Sequence, residues 1–326
     1  MKTRGIAMAK TEDSNKDRCE TTKTKLCSIV IPNFNGQDIL PKCLTTLKEM
    51  TKYDNYEVIV VDDASTDSSV KMLREKFPWV KVIVNKKNRG DTYSVNRGMR
   101  AARGDYVLLL DSDVWFIQKG WLKNLIKDLE SDPQIGIIAP KFLYPDGTLQ
   151  EGFEKITESI CIKGATFLIK REVIEKIGYF DEGYTPGYFA ETDFCHRAFC
   201  AGFKSISTPN SVVIHDEHKT ISKTVDMSYV LKKYERRFWL LNYSIPQLLI
   251  RSIAEIKVII CSLFNGEIKV LLKAYWYNIK HLNDTLRKRR ERCHGVKICA
   301  NNLYSRILRL FAYKQDSKSK DEKCSK

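Results

Sequence analysis

The stretch GDYVLLLDSD, residues 104–113, places an apolar run directly before two carboxylates. Five consecutive apolar residues, bounded by Gly-Asp and by Asp, predict a short strand that is buried on both faces, which is typical of a parallel sheet. Asp111 and Asp113 are two positions apart on an extended segment, so both side chains can lie on one side. Ligands of open parallel sheets bind beyond the carboxyl ends of the strands. This stretch therefore indicates both a fold class and the position of a binding site.

The same pattern of strand and helix repeats on both sides of this stretch. Further strands are predicted at Leu26–Ile31, Glu57–Val61, Val80–Val84 and Ile135–Ala139. Segments with helical spacing lie between them, at Ile39–Met50, Ser68–Phe77, Asp91–Ala102 and Trp121–Leu129. Asp91 is predicted to be the N-cap of its helix. This alternation predicts an α/β fold with a doubly wound, mostly parallel sheet.

Composition excludes several classes of protein. The chain has 326 residues, of which 43% are hydrophobic and 29% charged, so wholesale disorder and fibrous structure are excluded. Its ten cysteines form no CxxC motif and no cysteine–histidine cluster with zinc spacing. Residues 1–25 are polar and lack the apolar core of a secretory signal. We therefore expect reduced thiols and a cytoplasmic location.

Charge divides the chain into unequal parts. Residues 228–326 contain 22 Lys and Arg against 8 Asp and Glu, which accounts for +14 of the total net charge of +15. We expect a disordered arm at 1–25, an α/β domain at 26–227, a basic amphipathic helical region at 228–315 and a disordered tail at 316–326. A basic region of this size indicates an anionic partner, either nucleic acid or an anionic membrane surface.

The helical region allows two interpretations. In Pro246–Phe264, Gln247, Arg251, Glu255 and Ser262 form a polar stripe, and the remaining residues are largely Leu, Ile, Val and Phe. Apolar helix faces flanked by Lys and Arg are typical of helices that lie in a membrane interface. The alternative is a helical subdomain that packs on the α/β domain and exposes its charged residues to solvent. The charged residues within this segment exclude a membrane-spanning helix.

Carboxylates follow more than one of the predicted strands. Asp62 and Asp63 end the strand at Glu57–Val61, and Asp111 and Asp113 end the strand of the opening stretch. Carboxylates at a phosphate site would repel the ligand unless a cation lies between them. Mg²⁺ and Mn²⁺ prefer such oxygen ligands and can bridge a diphosphate.

These motifs closely resemble those of the family 2 glycosyltransferases, which are inverting enzymes with the nucleotide-diphospho-sugar transferase fold (GT-A). The matching segments are residues 28–36 (SIVIPNFNG), 60–67 (VVDDASTD), 88–90, 96–98, 104–113, 164–171 (GATFLIKR), 178–182 (GYFDE) and 191–197 (ETDFCHR). A looser similarity over 234–292 is to the rhamnosyltransferase-like branch of polysaccharide enzymes, which have basic amphipathic tails.

The resemblance implies roles for individual residues. It puts Pro32, Phe34, Asp63 and Asp111 at the nucleotide-sugar, with Phe34 beside the base and Asp63 accepting a hydrogen bond from a ring N–H. It makes Asp111 and Asp113 ligands of Mg²⁺ or Mn²⁺. A histidine after a strand can complete such a site, so His215 is a third candidate ligand.

The resemblance also implies a catalytic base. Inversion needs one carboxylate that takes the proton of the acceptor hydroxyl as it attacks the anomeric carbon. The family most often has Glu-Asp-x-Asp at this position, whereas this chain has Ala190, Glu191, Thr192 and Asp193. Glu191 therefore falls at the position of the base and Asp193 is a supporting acid. Ala190 departs from the family pattern.

We expect an inverting glycosyltransferase that moves a hexose or deoxyhexose from a nucleotide-diphospho-sugar to a glycan or lipid-linked acceptor. The basic region favours a peripheral location on the inner face of the cell membrane. Two alternatives are a catalytically inactive GT-A scaffold, suggested by Ala190, and a basic nucleic-acid-binding protein. The chain has no nucleic-acid-binding motif, and the aromatic residues of the basic region lie on apolar helix faces, which disfavours the second alternative.

Overall fold

The computed structural model describes residues 24–152, 154–159, 162, 164–185, 187–216 and 226–293. The predicted disordered arm lies outside this part of the chain except for Thr24 and Lys25. Residues 294–315 of the predicted helical region and the predicted tail at 316–326 also lie outside it.

A mixed sheet of ten strands forms the centre of the described fold, in the order β3-β2-β1-β4-β9-β6-β10-β5, with β7 beside β6 and β8 beside β10. The strands are β1 (Cys27–Asn33), β2 (Tyr56–Asp62), β3 (Lys81–Val84), β4 (Tyr106–Leu110), β5 (Val114–Phe116), β6 (Ile135–Leu143), β7 (Leu149–Glu151), β8 (Thr157–Glu158), β9 (Thr166–Lys170) and β10 (Lys204–His215). The helices that connect the strands are α1 (Leu40–Met50), α2 (Ser69–Lys76), α3 (Asp91–Ala101), α4 (Trp121–Leu129), α5 (Arg171–Ile177) and α6 (Ala190–Cys200). A single 3₁₀ turn spans Glu182–Tyr184.

The predicted α/β fold is confirmed, with one refinement in strand direction. Strands β3, β2, β1 and β4 are parallel neighbours, in the register Val30↔Ile59 and Val30↔Leu109. All five residues of β4 are buried, so both faces of this strand are covered, as its apolar run predicted. Strand β9 lies antiparallel between β4 and β6 and makes the second half of the sheet mixed. A short strand that is buried on both faces has the same apolar pattern in either direction, which is why sequence alone did not reveal this.

The start of α3 differs from its prediction. Gly90 is the N-cap, with a φ of 87° that favours glycine, and Asp91 is the first residue of the helix. The carboxylate of Asp63 accepts the backbone N–H of Gly90 at 2.7 Å, which holds the chain in this conformation. Asp91 is therefore not needed as a cap, and its side chain is available for another role.

The part of the C-terminal region that the structure describes contains four helices, and the predicted helical character of this region is confirmed. They are α7 (Met227–Asn242), α8 (Ile245–Phe264), α9 (Ile268–Lys280) and α10 (Leu282–Cys293). Helix α7 is largely buried, and Phe238 joins the hydrophobic core that continues into the sheet. This helix therefore packs on the α/β unit. Among the helices in the described part of the chain, none has the length and hydrophobicity needed to cross a bilayer.

Helix α3 lies very close to the sheet at Gly98. A Cβ atom at this position would lie 2.2 Å from Cγ1 of Val30 in β1. We expect Gly98→Ala to destabilise the fold by about 1–3 kcal/mol through overpacking. Urea denaturation measures this loss. The double variant Val30→Ala/Gly98→Ala removes the contacted methyl group, and its free energy of unfolding should exceed the value expected from adding the two single effects. Simple additivity would contradict this account of the helix–sheet contact.

Candidate active site

The loops that follow β1 and β2 are bound to each other. Asp62 accepts hydrogen bonds from the side-chain amide of Asn33 at 2.8 Å and from the hydroxyl of Ser65 at 2.6 Å. The side-chain oxygen of Asn35 accepts the backbone N–H of Thr66 at 2.8 Å. Asn35 has a φ of 52°, an unfavourable conformation that these contacts stabilise. The network gives Asp62 a structural role and fixes the edge of the sheet where the site lies.

The four residues predicted at the nucleotide-sugar differ in their surroundings. Phe34, in the loop that follows β1, is 44% exposed, so part of its side chain is accessible. Pro32 and Asp111 line a common cleft. Asp63 is buried, and its carboxylate accepts the side-chain amide of Asn85 at 2.6 Å and the backbone N–H groups of residues 89 and 90. A nucleotide base would have to share this acceptor with the 85–90 loop, and its recognition by Asp63 stays a prediction.

Strand pairing brings the predicted metal ligands together. Strand β5 directly follows Asp113 and pairs antiparallel with the end of β10, so that His215 lies opposite Val114. The backbone N–H of Asp216 donates to the carbonyl of Asp113 at 3.1 Å. One ligand atom each of Asp111, Asp113 and His215 lie within 4.8 Å of one another. The pairing of β5 with β10 thus brings His215 close to Asp111 and Asp113, which precede it by about 100 residues.

The chemistry of these three side chains fits a divalent cation. Nδ1 of His215 lies 2.9 Å from Oε1 of Gln150, a contact that orients the imidazole ring. Nε2 on the other side of the ring faces Oδ1 of Asp113 at 3.5 Å, so a cation placed between them could be bound by both atoms. Two carboxylates and an oriented imidazole suit Mn²⁺ or Mg²⁺.

Glu191 lies in the first turn of α6 and faces the cleft. The two residues before the helix, Tyr188 and Phe189, have φ values of 66° and 63°, so the chain turns sharply where it enters α6. A Cβ atom on Gly164 would lie 2.9 Å from the carboxyl carbon of Glu191. Glu191 lines the same cleft as Pro32 and Asp111. Because Gly164 has no side chain, it leaves room for the carboxylate of Glu191.

The surroundings of Glu191 favour its neutral form. Burial raises the pKa of its carboxyl above the ordinary value, and the backbone N–H of Glu191 itself only partly offsets this. A carboxylate whose pKa is raised binds a proton more tightly when it is ionised. This is the property that a general base requires.

Asp193, which was predicted to be a supporting acid, lies in a cluster of ion pairs, and its catalytic role stays a prediction. It is fully buried, and Arg292 of α10 donates to its two oxygens at 2.7 and 3.0 Å. Arg197 and Asn242 also donate to it, each at 2.9 Å. Burial alone would raise the pKa of Asp193, but the charges of Arg292 and Arg197 hold it well below the usual range. Positions two apart on a helix point to nearly opposite sides, so Glu191 faces the cleft and Asp193 faces the C-terminal helices.

A second buried carboxylate extends this ion-pair cluster. Asp181 accepts Arg237 of α7 at 3.0 Å and is paired with Lys288 of α10. Arg292 also reaches Asp181, at 3.3 Å. The helix that carries Glu191 is therefore anchored to α7 and α10, which lie far along the chain.

A family model supplies the identification. Residues 28–202, more than half of the chain, match the model of glycosyl transferase family 2. The chain belongs to this family. The match ends before α7, so helices α7 and α10, which anchor the helix that carries Glu191, lie outside it.

Individual relatives and solved structures agree with this family. The chain is 37% identical over 116 residues to a poly(ribitol-phosphate) beta-glucosyltransferase of Bacillus spizizenii, covering 33% of this chain and 18% of the relative. Four curated relatives that it matches are covered over 18 to 44% of their length. A mannosyltransferase from Pyrobaculum calidifontis in complex with GDP-Man and Mn²⁺ has a TM-score of 0.51 and 18% identity, over 80% of this chain and 76% of the other. S. aureus TarS in complex with UDP-GlcNAc has a TM-score of 0.53 and 19% identity, over 67% of each chain. The two structures share the GT-A fold.

Sequence analysis of this family member did not identify two residues, one in the cleft and one in the ion-pair cluster. Asp91 lines the cleft with Glu191 and Asp111, although its sequence position suggested a helix cap. Asp91 comes after the parallel strand β3. Because ligands of such sheets bind beyond the carboxyl ends of the strands, the sequence could have indicated this residue. Arg292 lies in a run of basic residues, and nothing in that run distinguishes it from its solvent-exposed neighbours.

The anchoring role of Arg292 can be tested with Arg292→Met. The change leaves Asp193 buried without its bidentate partner, and we expect a loss of about 3 kcal/mol in the free energy of unfolding. Denaturant unfolding measures it. Arg290→Met on the same helix is the control, because Arg290 is exposed and its loss should stay within about 0.5 kcal/mol. Equal stability of the two variants would contradict an anchoring role for Arg292.

Proposed function

We propose that this protein transfers a sugar from a nucleotide-diphospho-sugar to a hydroxyl group of a glycan or lipid-linked acceptor, in a single displacement that inverts the anomeric carbon. The observation that carries the proposal is the cleft shared by Glu191, Pro32 and Asp111. Membership of the family supports the reaction class. The GDP-Man and UDP-GlcNAc bound to the two structurally similar proteins support a nucleotide-sugar as the donor.

In this mechanism Glu191 is the general base. Its carboxylate accepts the proton of the acceptor hydroxyl while the oxygen attacks the anomeric carbon and the nucleoside diphosphate departs. A direct attack of this kind needs one base and no covalent sugar–enzyme intermediate. The raised pKa of Glu191 supports the role, because the ionised form is a stronger proton acceptor than an ordinary glutamate.

Asp111, Asp113 and His215 would hold a divalent cation, Mg²⁺ or Mn²⁺. When bound, it would supply positive charge that stabilises the leaving diphosphate. The chain's own contribution is to keep the three side chains together by the pairing of β5 with β10. Gln150 orients His215 so that Nε2 faces Asp113. Phe34, which is exposed at the same edge of the sheet, offers an aromatic face to the nucleotide base.

The base can be tested with Glu191→Gln, which preserves the shape of the side chain. With Mn²⁺ and a panel of nucleotide-sugars, we expect kcat to fall by a factor of about 10²–10⁴, while binding of the free nucleoside diphosphate is retained. In the wild type, activity should decline as pH falls through the raised pKa of Glu191, so the acid limb should lie above pH 4.5. Gly164→Ala, which crowds this carboxyl group, should lower kcat as well.

Two outcomes would contradict the proposal. Unchanged turnover in Glu191→Gln would remove Glu191 as the base. A wild-type chain that releases no nucleoside diphosphate from any donor in the panel, in the presence of Mn²⁺ or Mg²⁺, would agree with an inactive scaffold.

The proposed partner of the helical region is an anionic membrane surface. Helix α8 supports this because its polar stripe faces the protein. Arg251 lies against the ring of Trp239 at 4.0 Å, and Glu255 is buried and accepts the hydroxyl of Tyr275 at 2.8 Å. Ser262 is also buried. A helix on the surface of a soluble protein normally buries its apolar face instead.

The apolar side of α8 and α9 is exposed. Ile253 is 71% exposed, Phe264 88% and Trp276 68%. The surface continues through further large side chains at Leu249, Ile250, Ile256, Ile260, Leu263, Leu272 and Ile279. An apolar surface of this size marks an interaction site with a protein or a membrane.

Charge favours a membrane as the occupant of this surface. Between residues 245 and 280 the only carboxylates are Glu255 and Glu267, and they pair with Arg236 and Lys232. Exposed lysines flank the apolar residues at positions 257, 269, 273 and 280. Each basic residue near an anionic bilayer contributes about 1 kcal/mol. We therefore infer that α8 and α9 lie in the interface of an anionic bilayer, which would bring the enzyme to a lipid-linked acceptor.

Vesicle flotation tests this partner. The full chain should float with vesicles of phosphatidylcholine and phosphatidylglycerol, more weakly with phosphatidylcholine alone, and less in high salt. The triple variant Ile253→Ser/Phe264→Ser/Trp276→Ser should lose most of this binding. Leu149→Ser is the control, because Leu149 is an exposed apolar residue in another part of the fold. If the triple variant and the control float equally, the membrane assignment is wrong.

A further inference from the structure

We propose that Asp91 determines sugar specificity: its carboxylate accepts hydrogen bonds from hydroxyl groups of the donor sugar in the cleft. The inference rests on the proposed function and names a residue to which neither the family motifs nor the metal group assigns a role. Asp91 lines the cleft together with Glu191, Asp111 and Gly164. A group in this position lies among the residues proposed to surround the reacting sugar.

The backbone holds Asp91 in a defined position. Its neighbour Gly90 is bound to Asp63, and Asp91 begins the first turn of α3. Farther along the same helix, Asn96 donates to the carbonyl and accepts from the N–H of Phe180, both at 3.0 Å. Phe180 also lines the cleft. The helix that carries Asp91 and one wall of the cleft are therefore fixed to each other.

Asp91 retains solvent-accessible surface although atoms of the cleft crowd around it, and among the described residues none donates a hydrogen bond to its carboxylate. In contrast, Asp62, Asp63 and Asp193 accept several hydrogen bonds each. Asp91 is thus a rigidly placed acceptor to which no other residue in the described part of the chain donates a hydrogen bond.

The electrostatic surroundings of Asp91 favour an uncharged hydrogen-bond donor over an anion as its ligand. Loss of hydration in the cleft, and then the charges of Glu191 and Asp63, raise the pKa of Asp91 to about 7. A negative charge here is unfavourable unless a partner donates to it. A second phosphate or carboxylate would add repulsion, whereas sugar hydroxyls would donate without adding charge. Two oxygens can accept from two neighbouring hydroxyls of a pyranose, and this geometry distinguishes epimers.

Steady-state kinetics of the full-length chain with Mn²⁺ tests the role. Asp91→Asn and Asp91→Ala are compared with wild type using UDP-GlcNAc, UDP-glucose, GDP-mannose and dTDP-rhamnose. For the preferred donor we expect kcat/KM to fall about tenfold to a hundredfold, because loss of a hydrogen bond to a charged group weakens an interaction by about this factor. The differences in kcat/KM among the four donors should become smaller. The affinity for free UDP or GDP should be unchanged. Asp54→Asn, an exposed aspartate outside the cleft, is the control and should match the wild type.

Deoxy analogues of the preferred donor identify the contact. The wild type should discriminate against the analogue that lacks the bound hydroxyl, and Asp91→Ala should not discriminate, so the two losses are not additive. A merely structural role would lower activity with every analogue equally.

The outcomes separate this inference from the proposed function. An active wild type whose donor preference and kcat/KM are unchanged by both Asp91 variants would overturn the role of Asp91 and leave glycosyl transfer intact. A wild type that neither binds nor turns over any donor would overturn the proposed function, and the role of Asp91 with it.

Discussion

Antiparallel pairing of β5 with the last residues of β10 is the interaction on which the arrangement of the site depends. Strand β5 has only three residues, and it follows immediately after Asp113. Its partner β10 has twelve residues and runs parallel to β6 before it ends at His215. The long strand is held by the core, and its end fixes the position of the short one. If this ladder opened, His215 would separate from Asp113, and the three candidate metal ligands would no longer lie close together.

The C-terminal helices contribute to the site from the other side. Asp193 and Asp181 connect the α/β unit to basic side chains of α7 and α10. Because Asp193 follows Glu191 by two residues, the same short helix carries the proposed base on one side and the anchor on the other. Helix α8 then presents its apolar face outward while its polar stripe packs against α7 and α9. The two interpretations of this region are thus compatible: α7 and α10 pack on the α/β unit, and α8 and α9 present the surface proposed for a membrane.

Much of the fold was predictable, because buried strands and amphipathic helices have distinct periods. The run before Asp111 and the acidic strand ends followed from that pattern alone. His215 was predicted only through the resemblance to a family, since a β-ladder between residues 114 and 215 has no local signal. The direction of β9 was missed because a strand buried on both faces has the same composition in either direction. The polar stripe of α8 was found, but periodicity does not reveal which side of a helix faces the protein. The N-cap predicted at Asp91 is Gly90 instead, and the ion pairs of Asp193 were not foreseen because local sequence does not show which distant residues reach a side chain.

We infer that Asp111, Asp113 and His215 form a cation site at the cleft that contains Glu191. Anomalous diffraction at the manganese edge, from crystals grown with Mn²⁺ and a nucleoside diphosphate, tests this inference most directly. We expect one strong manganese peak at ligand distance from Asp113 and His215, with the diphosphate beside it and Glu191 on the wall of the same cleft. A manganese peak at other residues, or His215 and Asp113 on separate surfaces, would contradict it.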